Sequence, residues 1–185
     1  MTLFDRRALP AVFVGIGMAL TIGVSFLLVI PIQPAYLLLA VPAGILIGYY
    51  ANVRADRGRG QWLPTLGNGL VAGVATGVTM AVLLLGVRAL FFNLDDGYRD
   101  TKAGGPFTCR TGADCVYQRY READPDTLVG AGITDAASFS GYYWEQQWKT
   151  AGLLTGTATL FGALGAVIYG ATRPGRPPTP AATAT

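Results

Sequence analysis

Cys109 and Cys115 are the two cysteines of the chain, and they enclose Arg110-Thr111-Gly112-Ala113-Asp114. Thiol–disulfide oxidoreductases use Cys-x-x-Cys, a tighter spacing than this one. The longer interval suits a small structural disulfide loop, with Gly112 allowing a tight turn. Such a bond persists in an oxidising compartment. The sequence contains no histidine. That removes bis-histidine haem, histidine-ligated copper or iron, a Ser-His-Asp set and a histidine general base. Two cysteines alone cannot complete an iron–sulfur cluster or a closed zinc site. No cofactor, no metal and no catalytic residue is expected, and the chain reads as a non-enzyme.

Other polar residues invite the same test. Asp95-Asp96-Gly97 and Asp124-Pro125-Asp126 offer carboxylate oxygens, but neither has the spacing of a calcium loop, and both fit turns or helix caps. Thr21, Ser25, Thr76, Thr79, Thr155, Thr157 and Thr159 are hydroxyls within apolar stretches, and Asn68 is an amide in another. Such groups ordinarily bond to their own helix backbone or to a neighbouring helix. A proton or cation path would also need an intramembrane carboxylate, and the apolar tracts contain no Asp or Glu. Arg88 is the basic residue nearest membrane depth. It is expected to anchor at the interface, paired with Asp95 or Asp96 or touching an anionic lipid head.

Small residues form the clearest pattern. Gly69, Gly73 and Gly77 recur at every fourth position, as do Gly44 with Gly48, Gly152 with Gly156, and Gly15, Ala19 and Gly23. Residues four apart share one helix face. Where that face lacks side chains, two backbones can approach closely and gain dispersion contacts. The rows predict packing inside a helical bundle. The alternative is that one row, the Gly69 row first, docks a helix of another protein.

The elements that carry these residues follow from the missing charges. The charge-free gaps after Arg7, Arg59 and Lys149 run for 46, 28 and 23 residues. About 20 apolar residues cross a bilayer as a helix, so the first gap crosses twice. The composition, 51% hydrophobic and 14% charged, is too apolar for an ordinary soluble surface. Spans are predicted at Ala8–Ile30, Ala35–Tyr50, Leu66–Val87 and Thr150–Tyr169. Pro31 and Pro34 break the first gap, and Pro42 should kink the second span. Ala8–Ile30 exceeds a signal-peptide core and is expected to be retained. The predicted fold is an all-α membrane protein, a four-transmembrane-helix bundle. Residues 1–92 hold helices 1–3, 93–148 a large disulfide-containing extracytoplasmic loop, 149–172 helix 4, and 173–185 a disordered cytoplasmic tail.

Orientation is read from arginines in short segments. They gather at the N-terminus (Arg6, Arg7), between spans two and three (Arg54, Arg57, Arg59) and in the tail (Arg173, Arg176). Four spans put all three on one side, the cytoplasm. The 93–148 loop is then outside, where its cysteines can oxidise. It carries nine of the chain's eleven acids. Thr134 is expected to cap a helix that starts there. Trp62, Tyr142, Tyr143, Trp144 and Trp148 are expected at the membrane interfaces, in contact with lipid. Abundant Ala, Gly and Arg suggest a GC-rich bacterial genome, and hence a bacterial plasma membrane.

A small first outer connection and a large cysteine-bearing second one resemble the layout of tetraspanins. The Cys-Cys-Gly motif of that family is absent, so no property is carried over. Nucleic-acid binding is not expected, because no basic run is interleaved with aromatics. The expected partners are membrane lipids and other integral membrane subunits. The leading expectation is a non-catalytic accessory subunit of a membrane complex. An oligomeric channel or carrier for small solutes comes second, and a membrane thiol–disulfide oxidoreductase third.

Overall fold

The computed structural model describes residues 6–28, 33–56, 60–94 and 111–172, and those residues are helical apart from short connections. A single 3-10 turn, Arg6–Ala8, leads into α1 (Leu9–Leu28). Then come α2 (Gln33–Ala55), α3 (Trp62–Leu94), α4 (Ala113–Ala123), α5 (Pro125–Gly130) and α6 (Ala136–Thr172). Four of these, α1, α2, α3 and α6, are long and apolar enough to cross a membrane.

Two helices outrun the expected spans. With 33 and 37 residues, α3 and α6 are about 50 and 55 Å long at 1.5 Å per residue, against about 30 Å of hydrocarbon. Reading only the apolar centre of each had truncated them. α2 also continues past Tyr50 to Ala55. Asn52 and Arg54, expected in a loop, are therefore helical. Pro42 lies inside α2, which runs on through it. Pro10, Pro64 and Pro125 fall in the first turns of their helices, where a missing N–H breaks no ladder.

The 93–148 stretch, read as one loop, holds α4, α5 and the start of α6. Asp124 caps α5: its carboxylate accepts from the Thr127 N–H at 3.3 Å and the Thr127 hydroxyl at 2.7 Å. The end of α5 is closed by Gly132 N–H on the Val129 carbonyl (3.0 Å) and Ile133 N–H on the Leu128 carbonyl (2.9 Å). Gly132 has φ 69° there, a left-handed conformation that glycine adopts at no steric cost. The cap of α6 is Asp135 rather than Thr134. Its carboxylate accepts the Ser138 N–H at 2.8 Å, which holds the acid below its ordinary pKa. Thr134 sits one position too early, and its hydroxyl turns to the Asp135 carboxylate at 3.5 Å.

The chain divides into two compact units, Met1–Met80 with Leu154–Thr185, and Ala81–Leu153. In the first, Ala8, Ala11, Ile47, Ala51, Ala55 and Ala72 form a buried cluster, with Tyr50 against it. The core side chains are mostly alanine, while Phe13, Leu38, Leu46 and Leu160 face outward. In the second, Phe92, Val116, Leu128, Phe139 and Tyr143 form the core. Arg119, Arg121, Glu122, Asp124 and Asp126 are exposed around it.

Candidate functional site

In the first unit α6 is the hub. A Cβ at Gly48 would fall on the Gly162 carbonyl, and one at Gly165 on the Ile45 carbonyl. At Gly44 it would lie 2.7 Å from the Ala158 oxygen. These contacts bring α2 and α6 backbone to backbone. On α3 the same face of α6 is met again. A Cβ at Gly69 would sit 2.6 Å from the Gly162 oxygen, at Gly73 2.7 Å from the Ala158 oxygen, and at Gly77 2.8 Å from Thr155 Cα. Gly162 is thus reached from α2 and α3 alike. On α1, Gly15 abuts Thr76 Oγ1 and Ile47. Ala19 is buried and Gly23 half-buried.

The other predicted pair behaves differently. A Cβ at Gly152 or Gly156 would meet no described heavy atom within 4 Å, and both glycines are exposed. The Gly69 row, the alternative candidate for meeting another protein, faces this chain's own α6. The row left open is on α6 itself, with Leu153 and Leu160 exposed on neighbouring positions.

A buried amide pair joins α2 to α3. Asn52 Nδ2 donates to the Gly48 carbonyl and to the Thr65 carbonyl, both at 3.0 Å. Asn68 Nδ2 donates to Asn52 Oδ1 at 3.3 Å. Asn52 and Asn68 are both fully buried. Burial of unpaired amides in an apolar bundle costs several kcal/mol, so a pair that satisfies itself fixes the hairpin's register. Sequence reading missed Asn52 because it placed it in a loop; a 16-residue separation from Asn68 across a tight connection was the available signal. Thr76, Thr79 and Thr159 donate to carbonyls four residues back, at 2.9, 2.8 and 2.7 Å. Their hydroxyls are spent on their own helices.

The interfacial aromatics divide. Trp62 is exposed, with Gly170 beneath its ring at 2.8 Å from a would-be Cβ. Trp148 is 65% exposed. Tyr143 and Trp144 instead stack on Phe92, with ring centroids at 4.9 and 5.5 Å. Tyr142 packs at the edge of the same cluster. Phe139, fully buried, touches Tyr117, Tyr120 and Tyr143 at 5.6, 5.1 and 6.0 Å. Sequence reading missed Tyr117, Tyr120 and Phe139. Their i, i+3 and i, i+4 spacing, with Val116 and Tyr143, was the legible sign of two amphipathic helices.

Cys115, in the first turn of α4, is fully buried, and no cysteine among the described residues is free. Cys109 lies outside the described residues, as do Asp95, Asp96 and the 173–185 tail. Gly112 precedes α4 with φ 89°. Among the described residues no three His, Cys, Asp or Glu side chains gather as a metal site. Glu145 and Lys149 form an exposed i, i+4 ion pair at 2.7 Å. Arg88 is half-buried, and its Nε is buried with no hydrogen-bond partner among the described residues. Compared with known proteins, the chain matches no family model, no curated protein and no solved structure, so its function is argued from these contacts alone.

Proposed function

We propose that this chain is a non-catalytic accessory or structural subunit of a larger bacterial membrane complex. Its N- and C-terminal ends lie on the cytoplasmic side of the plasma membrane. The 93–148 segment, tied by a Cys109–Cys115 disulfide, lies outside and meets a partner's extracytoplasmic part.

One observation carries the reading. Gly44 and Gly48 on α2, Gly69, Gly73 and Gly77 on α3, and Gly162 and Gly165 on α6 are used up by contacts within the chain, whereas the predicted pair Gly152 and Gly156 stays open. Lipid gives no hydrophobic drive for helices to associate, so close approach along small-residue faces supplies the attraction. The open pair on α6 is where a second helix can come equally close. Full burial of Cys115 supports a structural bond over a redox-active one, because catalytic cysteines sit in partly exposed, electropositive settings.

The test is extraction in mild detergent. Defined partner chains should co-purify in fixed ratio, and Gly152→Leu with Gly156→Leu should release them while the chain's own unfolding temperature holds. A chain that runs alone and monodisperse at several detergent concentrations overturns the subunit reading. The channel alternative predicts solute flux from liposomes holding purified protein. Own-helix bonding of Thr76, Thr79 and Thr159 weighs against their lining a polar conduit.

A further inference from the structure

The charges of the unit of Met1–Met80 and Leu154–Thr185 gather at one end. Arg6 and Arg7 lie in the 3-10 turn that opens α1, and Arg54 lies in the last turn of α2. The turn packs on α2, because Ala8 and Ala11 are buried in one cluster with Ala51 and Ala55. Alanine leaves little between two helices, whose axes can then approach to about 8 Å. Arg7 adjoins Ala8 in sequence and Arg54 adjoins Ala55, so the cluster that seats α1 on α2 also gathers their arginines. All three arginines are exposed. Asp56 is the one acid among the described residues of this unit. It can neutralise one guanidinium, which leaves a positive surplus. Like charges held this close repel, and an anion between them relieves the repulsion.

The depth of these arginines tells what the anion is. Tyr49 and Tyr169 meet edge to face, with ring centroids 5.5 Å apart, and Trp62 lies over Gly170. A layer of Tyr and Trp marks a membrane interface. Arg54 follows Tyr50 by four positions on α2, about 6 Å at 1.5 Å per residue. The hydrocarbon layer is about 30 Å thick and about 40–45 Å with both headgroup layers, so each headgroup layer is about 5–7.5 Å deep. Arg54 therefore stands among the phosphates, and the α1 turn packed on the same helix end puts Arg6 and Arg7 there too. On the hydrocarbon side of them Leu9, Phe13 and Leu46 are exposed, apolar surface of the kind acyl chains cover. Phosphate oxygens match a guanidinium fork, two N–H groups to two oxygens.

We propose that Arg6, Arg7 and Arg54 together bind the phosphate of an anionic phospholipid where the start of α1 packs on the end of α2. The proposal rests on the membrane embedding of these two helices and is independent of the subunit reading. Purified full-length chain, stripped of lipid and supplied with phosphatidylglycerol, phosphatidylcholine or inorganic phosphate, is examined by native mass spectrometry. Phosphatidylglycerol should remain bound, and phosphatidylcholine, whose choline cancels the phosphate charge, should not. Arg6→Gln and Arg54→Gln should each weaken phosphatidylglycerol binding about fivefold, the scale of one arginine at an anionic membrane surface. Arg54→Lys, which keeps the charge but loses the fork, should fall between. Both side chains are exposed, so the variants should unfold at the wild-type temperature in phosphatidylcholine. Arg121→Gln, at an exposed arginine of the other unit, should bind lipid as the wild type does. Equal retention by wild type and by the Arg6 and Arg54 variants overturns the proposal. So does a fall in Arg121→Gln as large as theirs, which makes binding a matter of net charge alone. Binding of inorganic phosphate without lipid assigns the site to a free anion and likewise overturns it.

Discussion

In the unit of Met1–Met80 and Leu154–Thr185 the closest contacts run from glycine to backbone, with alanine filling the core. In Ala81–Leu153 they run from ring to ring. The surfaces are inverted as well. Large apolar side chains such as Leu38 and Leu160 cover the outside of the first, while charged residues surround α4 and α5 in the second. The difference follows from the solvent each surface fits. Water drives large aromatics together because their burial removes apolar area from it. Lipid tails are as apolar as leucine, so nothing is gained by burying a leucine there. What remains is close backbone packing, which needs small residues between helices and leaves the large ones for lipid.

Breaking each unit by its own logic tests that contrast. The largest expected effect is Phe139→Ala, which empties the centre of the aromatic cluster and should destabilise Ala81–Leu153 by about 3–5 kcal/mol. Limited proteolysis should then cut α4 and α5 first, with the other unit's helices still protected. If proteolysis opens both units together, they do not differ as argued.

Gly48→Ala comes next. The added methyl meets the Gly162 backbone, which cannot rotate aside as a side chain could. Overpacking of this kind costs about 1–3 kcal/mol, readable as a lower Tm in detergent. Asn52→Ala removes the bonds that join α2 to the Thr65 carbonyl and the Asn68 amide, and should cost about 1–2 kcal/mol, the scale of interhelical polar contacts in membranes. A chemical-denaturation series on purified protein measures it.

Gly152→Ala sharpens the comparison from the other side. Its methyl meets open space, and alanine outranks glycine in a helix by about 1 kcal/mol. The isolated chain should be unchanged or slightly more stable, the opposite sign to Gly48→Ala. The smallest effect is a pH dependence at Asp135. The Ser138 N–H lowers its pKa in the fold, so its contribution is present above the unfolded pKa and fades as pH falls through the lower folded one. Asp135→Ala should remove that acid-side slope from the start of α6, followed by circular dichroism between neutral and strongly acid pH.

Much of this was legible before any coordinates. The gaps after Arg7, Arg59 and Lys149 located the four long helices, because the length of an apolar tract is a local property that no neighbour alters. The glycine spacing put Gly44 with Gly48, Gly69 with Gly73 and Gly77, and Gly152 with Gly156 on single helix faces without saying which of those faces would pack. Helix ends were read poorly at Tyr50 and Val87, since a helix continues past its apolar centre wherever its backbone bonds remain satisfied.

What the sequence determined is thus the number and nature of the membrane-length helices and the absence of histidine chemistry. Only the tertiary structure decided which glycine row meets which partner, that Gly152 and Gly156 stay open, and that Asn52 finds Asn68. The reason is rotational. A helix that is apolar all round has no amphipathic stripe to say which face turns inward. That choice is made by the neighbours it packs against, through contacts between residues far apart in the chain.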